Sequence, residues 1–108
     1  MRQLRHPAPD EITLPRVLGA LSDPARLAIV AKLADGREHP WSDLDVGVGP
    51  STLSHHVRVL REAGIINHRK EGTRCFVALR PDLEDVFPGL LSSVLKFAKA
   101  KDAHSRAR

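Results

Sequence analysis

Cysteine is almost missing from these 108 residues: Cys75 stands alone, which excludes an internal disulfide and a thiolate cluster able to hold zinc. It also excludes a two-cysteine redox switch within one chain, and Cys75, beside Phe76 and Val77, reads as a packing residue of a strand. Long apolar runs are lacking as well. No stretch approaches the roughly 18 residues of a membrane span. The opening MRQLRHPAPDE has no apolar centre of the kind a secretory signal needs, so a cytoplasmic protein with no membrane partner is expected. Repeats and low-complexity tracts are absent too.

Apolar residues make up 42% of the chain and charged ones 28%, a globular composition. A single domain of this size buries only about 65% of its unfolded surface, so a partner surface is expected from length alone. The formal charge is +4, and its distribution is uneven. Residues 1–50 carry six Lys/Arg against seven Asp/Glu, and residues 81–108 carry five against four. Residues 51–80 carry six against two, which points to an anionic partner for that segment.

The first 12 residues, with their prolines, read as a flexible arm, residues 13–101 as one domain, and residues 102–108 as a basic tail. In TLPRVLGALSD, Leu14, Val17, Leu18 and Leu21 recur on one face of a helix begun near Thr13 and Pro15. Asp23, Pro24 and Gly36 supply the cap, first position and left-handed end of a second, central helix. Trp41 to Val46 is expected as a short third helix, hemmed in by Pro40, Gly47 and Gly49. A fourth runs from the Gly49–Pro50 start to Gly64. IINHRK and TRCFVAL then read as two strands of a hairpin turning at Glu71 and Gly72. Pro88 separates a short helical piece from a last helix whose Leu90, Leu91, Val94, Leu95, Phe97 and Ala98 make a wide apolar face. Together with Leu14, Val17 and Leu18 that face suits a two-fold helical interface.

Around the fourth helix, at about 100° per residue, Leu53, Val57, Leu60 and Gly64 face the core, while Ser51, His55, Arg58 and Glu62 face away. Ser54 and Arg61 flank one edge of that outward side, and Thr52 and Val59 the other. His56 falls on the border of the core and reads as a packed histidine. Adjacent histidines point too far apart to chelate one ion as i, i+4 pairs do. Ser54 beside His55 lacks both an acid to orient the imidazole and an oxyanion loop. No catalytic residue, metal or cofactor is therefore expected. Short hydroxyls, an imidazole and a guanidinium on the first turns of a helix suit base edges in a DNA major groove, with Arg58 and Arg61 on phosphates.

ALSDPARLAIV, then STLSHHVRVLREAGII, then the charged hairpin HRKEGTRCFVAL resemble the arsenic-repressor (ArsR-type) family of small bacterial winged-helix transcription factors, over about residues 13–80. The resemblance implies a mainly α winged helix-turn-helix with a small β-hairpin wing between its fourth and fifth helices. It also implies a homodimer through the first and last helices, binding double-stranded DNA as a repressor at an inverted repeat. Ser51, Thr52, Ser54, His55 and Arg58 become recognition residues, with Arg69, Lys70 and Arg74 on the wing. Two features depart from that family's metal sensors. The third segment, WSDLDVGVG, has no Cys-x-Cys pair, and the last helix offers only Asp82, Glu84 and Asp85 near its start and His104 in the tail. A regulator without metal is the expectation, and whether it answers to an unknown small-molecule inducer stays open. Two alternatives stay open: a winged-helix module that binds protein and not DNA, and a sensor with a small-molecule or metal site at the dimer helices.

Overall fold

A computed structural model describes residues 4–106, with side chains over 4–98. Residues 1–3 of the arm and the side chains of the basic tail expected at 102–108 lie outside the described residues.

The helical half follows from caps and periodicity. Helix α1 (Leu14–Leu21) starts with Pro15 in its first turn, where a missing amide proton costs nothing. Helix α2 (Pro24–Lys32) is capped by Asp23, whose carboxylate accepts the Arg26 amide at 3.1 Å. That bond, first among several causes, holds the Asp23 carboxyl below its ordinary pKa. Ile29 and Val30 of α2 are fully buried at the centre of the core. Helix α3 (Pro50–Glu62) opens on Gly49 and closes in a Schellman turn: the Ile65 amide donates to the Leu60 carbonyl at 3.1 Å and the Gly64 amide to Arg61 at 3.0 Å. Gly64 has φ +87°, and a Cβ there would lie 2.6 Å from the Ile12 side chain, so both backbone and packing require glycine.

Strands β2 (Ile66–Glu71) and β3 (Arg74–Leu79) form the expected hairpin, with Glu71 opposite Arg74 as its last pair. Gly72, at φ +63°, takes the first central position of the two-residue turn, where a side chain would be strained. Helices α4 (Asp82–Val86) and α5 (Leu90–Arg106) follow on either side of Pro88.

Three regions differ from the sequence expectation. The short third helix is replaced by a two-residue strand β1 (His39–Pro40), paired antiparallel with β3, and a single 3₁₀ turn at Trp41–Asp43. A residue preceding proline avoids the helical region, and proline is tolerated on a sheet edge, so His39–Pro40 adds a third strand in the order β1-β3-β2. The helix that carries Ser51 to Arg58 is thus the third α-helix and not the fourth.

The arm is the second difference. Residues 4–12 form a strap with a 3₁₀ turn at Pro9–Glu11, and Ile12 joins the core. Its apolar side chain has a pocket to fill beside Gly64, which outweighs the chain entropy of nine residues with two prolines.

The third difference lies in the apolar faces. Val17 and Leu95, expected on a partner-facing surface, belong to the chain's own core at 0% and 8% exposure. Leu90, Leu91 and Val94 are half-buried against that core, and Ala98 is half-buried. Leu14, Leu18 and Phe97 remain exposed, Phe97 at 72%. On α1, positions 14 and 18 stack one turn apart while 17 points about 100° away, so one apparent face divides into an inner and an outer stripe.

Candidate nucleic-acid interface

Helix α3 sorts its side chains by its buried stripe. With Leu53, Val57 and Leu60 fixed in the core, Ser51, Thr52, Ser54, His55 and Arg58 all emerge exposed on its first two and a half turns. The paired histidines separate accordingly. His55 is exposed, whereas His56 is buried and its Nδ1 lies 3.1 Å from Arg26 Nη1. Arg26 in turn donates from Nε to the Ala20 carbonyl at 2.6 Å, and His56 Nε2 lies 3.8 Å from the Asp23 carboxylate. His56 thus ties α3 to the end of α1 and the start of α2, and so fixes the angle at which the exposed row is presented.

Between α3 and the hairpin lies an open groove of about 720 Å³, lined by Ser54, Arg58 and Arg61 on one side and Lys70 and Arg74 on the other, with Trp41 between them. Cys75 also lines it and is half-buried. The six cations noted in the sequence are not equivalent: Arg58, Arg61, Lys70 and Arg74 line the groove, and Arg69 and Arg80 do not. Arg58 and Lys70 are exposed, Arg58 making only an i, i+4 contact to Glu62 at 3.1 Å. Arg74 is exposed, its guanidinium 5.1 Å from the Phe76 ring. Arg69 is engaged. It bonds Glu38 through two nitrogens at 2.7 and 2.8 Å, touches Glu71 at 3.3 Å and lies 4.5 Å above the Phe76 ring. Arg69 holds the Glu38 carboxyl below the usual carboxylate range, and Glu38 raises Arg69 further. Arg80 is buried and donates to Asp82 at 2.8 Å.

Arg61 is half-buried, donating from Nε to the Arg5 carbonyl at 3.2 Å while its Nη1 lies 3.3 Å from His68 Nδ1. His68, 7% exposed, packs on Trp41 with ring centres 5.4 Å apart. Burial, and then the Arg61 charge, push its pKa down to about 4. His39, behind the wing, has the opposite environment. Asp35 and Asp43 each approach one of its ring nitrogens at 2.9 Å and raise its pKa. Asp35 is lowered in return to about 2, chiefly by that bond.

The structure therefore brings Ser54, Arg58, Arg61, Lys70 and Arg74 to one groove and leaves Ser51, Thr52 and His55 on the adjoining outer side of α3. It does not leave Arg69 free. The partner Glu38 lies 31 residues away, at a separation that no periodicity reports. Trp41, Leu4 and Thr73 also line the groove, and nothing in their local sequence marks them. Among the described residues, no group of three or more His, Cys, Asp or Glu is arranged to hold a metal ion, and no helix is long and apolar enough to cross a membrane.

A helix packed across a second, its exposed row beside a basic hairpin, is the arrangement that helix-turn-helix proteins present to DNA. Residues 21–69 match the model of a helix-turn-helix domain. The chain is 34% identical over 83 residues to YceK, an HTH-type transcriptional regulator of Bacillus subtilis, covering 73% of this chain and 83% of that one. It is 36% identical over 89 residues to YdfF of the same organism, covering 80% of this chain and only 39% of that regulator's length. Among solved structures it is similar to the transcriptional repressor BigR from Xylella fastidiosa, with a TM-score of 0.58 and 30% identity over 80% of this chain and 79% of that one. With that fold and these relatives, the chain belongs to the helix-turn-helix transcriptional regulators.

Proposed function

We propose that the protein is a homodimeric, sequence-specific repressor of the ArsR type. It inserts α3 into the major groove of an inverted-repeat operator and lays its hairpin on the adjacent backbone. The observation that carries this reading is the row Ser51, Thr52, Ser54, His55 and Arg58, all exposed, on a helix whose opposite side is locked in the core beside a groove walled by Lys70 and Arg74. Short donors and acceptors at the helix start reach base edges, and Arg58 is long enough for a guanine or a phosphate. The wing cations carry no sequence information and add affinity through counterion release.

Repression is supported by the Xylella repressor it resembles. The dimer is supported by Leu14, Leu18 and Phe97, large apolar side chains exposed on the two terminal helices. Two-fold symmetry places the half-sites about 10 to 10.5 base pairs apart, or a multiple of that. A site that blocks a promoter in this way needs no cofactor, and relief falls to an unidentified small-molecule inducer.

Fluorescence anisotropy of chelator-treated protein, against the DNA upstream of its own gene and a shuffled copy, tests this across a salt series. Affinity for the first at least about a hundredfold above the second, falling steeply with salt, is expected. Equal affinity for both, together with no effect of His55→Ala, would overturn sequence-specific reading and favour a protein partner for the same helix.

A further inference from the structure

The strap is anchored at both ends. Ile12 is buried against Gly64, just past α3, and His6 Nε2 accepts the His68 amide at 3.0 Å on the outer edge of β2. Just before His6, the Arg5 carbonyl accepts from Arg61 of α3. Leu4 consequently lines the groove, and Arg5 reaches a shallow depression of about 310 Å³ lined by Pro7, Glu11, Arg16 and Glu62.

The charges of that depression do not simply cancel. Glu11 already accepts the Ala8 amide at 2.7 Å, and Glu62 accepts Arg58 Nε at 3.1 Å. Among the described residues no side chain bonds the guanidinium of Arg5 or Arg16, and both residues are exposed. Glu62 stands one turn beyond Arg58 on the outward side that also carries Ser51 and His55, so the depression continues the line of the reading face at the far end of α3. A duplex that receives the start of the helix in its major groove presents a sugar-phosphate strand beside the helix's other end, and arginines are the commonest groups to meet it.

We infer that the strap is a third DNA-contacting element: Arg5, with Arg16 of α1, holds a backbone phosphate flanking the base pairs read by α3, and His6 and Arg61 fix the strap in place for that contact. This rests on the DNA-binding reading above. It adds affinity without sequence preference, because a phosphate is the same beside every base.

The test is the salt dependence of full-length protein on its upstream duplex and on the shuffled copy. An Arg5→Gln/Arg16→Gln chain is expected to flatten the slope of log affinity against log salt by about 0.9 for each bound protomer, equally on both duplexes. Arg37→Gln, which changes an exposed arginine paired with Asp35 well outside this site, serves as the comparison and should leave the slope alone. His6→Ala, which releases the strap from β2, should flatten it as the double variant does. A double variant with the wild-type slope, or an Arg37→Gln chain flattened as much, overturns the phosphate contact. A wild-type slope in His6→Ala overturns the anchoring role. Wild-type protein that binds neither duplex in a salt-dependent way would instead remove the DNA-binding reading itself.

Discussion

Helix α3 and the hairpin, which wall one groove, both carry arginines, yet they hold them differently. Arg58 stands exposed on α3, with a single contact to Glu62 one turn away. Arg69 on β2 is gripped by two nitrogens of its guanidinium on Glu38, touched by Glu71 and stacked on Phe76. A planar fork of donors matches one carboxylate edge in two parallel bonds, which a helix-surface pair at i, i+4 rarely achieves. Net charge in a segment is therefore a poor measure of charge offered to a partner. In the hairpin, Lys70 and Arg74 carry that offer, while Arg69 fastens the wing to the loop before β1.

The proposed function needs two copies acting together, so a change that keeps them apart should have the largest effect. Leu18→Asp, on the exposed stripe of α1, is expected to give a monomer by sedimentation and to lower affinity for an inverted repeat about 10²- to 10⁴-fold, as linkage between half-sites is lost. Val17→Asp, one residue away but buried, should instead unfold the chain. Arg58→Ala comes next. It should cost about 1 to 3 kcal/mol of operator binding and narrow the preference over the shuffled duplex, read by anisotropy.

On the hairpin, Arg74→Ala should weaken both duplexes alike and flatten the salt slope by about 0.9 per protomer, with specificity unchanged. Loss of specificity there would mean that the wing reads bases. Glu38→Gln sharpens the comparison from the other side. It leaves Arg69 with only its single contact to Glu71, so affinity for the shuffled duplex should rise modestly and its salt dependence should steepen.

The smallest effects concern two histidines in contrasting settings. His68, between α3 and Trp41, is held neutral, with a pKa near 4 against an ordinary 6.5, and His6 beside it is lowered too. Between those values the unfolded chain binds the extra proton, so stability should fall as pH drops from about 6.5 towards 4. Thermal melts across that window should show it, and His68→Asn should shrink it. His39, raised by its two carboxylates, acts with the opposite sign. Its contribution is complete below the ordinary value and fades as pH rises through the raised one. A His39→Gln chain that retained the full decline on the alkaline side would remove that pairing from the account.

Much of the reading helix was legible in the sequence because it rests on local rules. Gly49 and Pro50 open it, Gly64 closes it, and a period of 3.6 assigns Leu53, Val57 and Leu60 inward and Ser51, His55 and Arg58 outward. His56, on the border by that period, is turned inward by Arg26, 30 residues earlier. The hairpin was legible through Gly72 between two extended runs, although the turn falls at Gly72–Thr73, one residue beyond the Glu71–Gly72 read from the sequence. The segment from Trp41 to Val46 yields only a 3₁₀ turn instead of the expected helix, and it follows directly on His39–Pro40, whose partner β3 lies more than 30 residues downstream. The burial of Ile12 was illegible for a related reason: it has no local partner, and its pocket exists only once α3 has closed at Gly64.

The sequence by itself determined where α2 begins, where α3 begins and ends, that a hairpin follows, and which side of α3 meets solvent, because caps, turns and helical period act over a few residues. Only the tertiary structure decided which cations are available, which apolar side chains are left on the surface and where the strap lies. Those depend on pairs such as Arg69–Glu38, His68–His6 and Ile12–Gly64, whose members are brought together by the packing of whole elements and carry no signal in their neighbours along the chain.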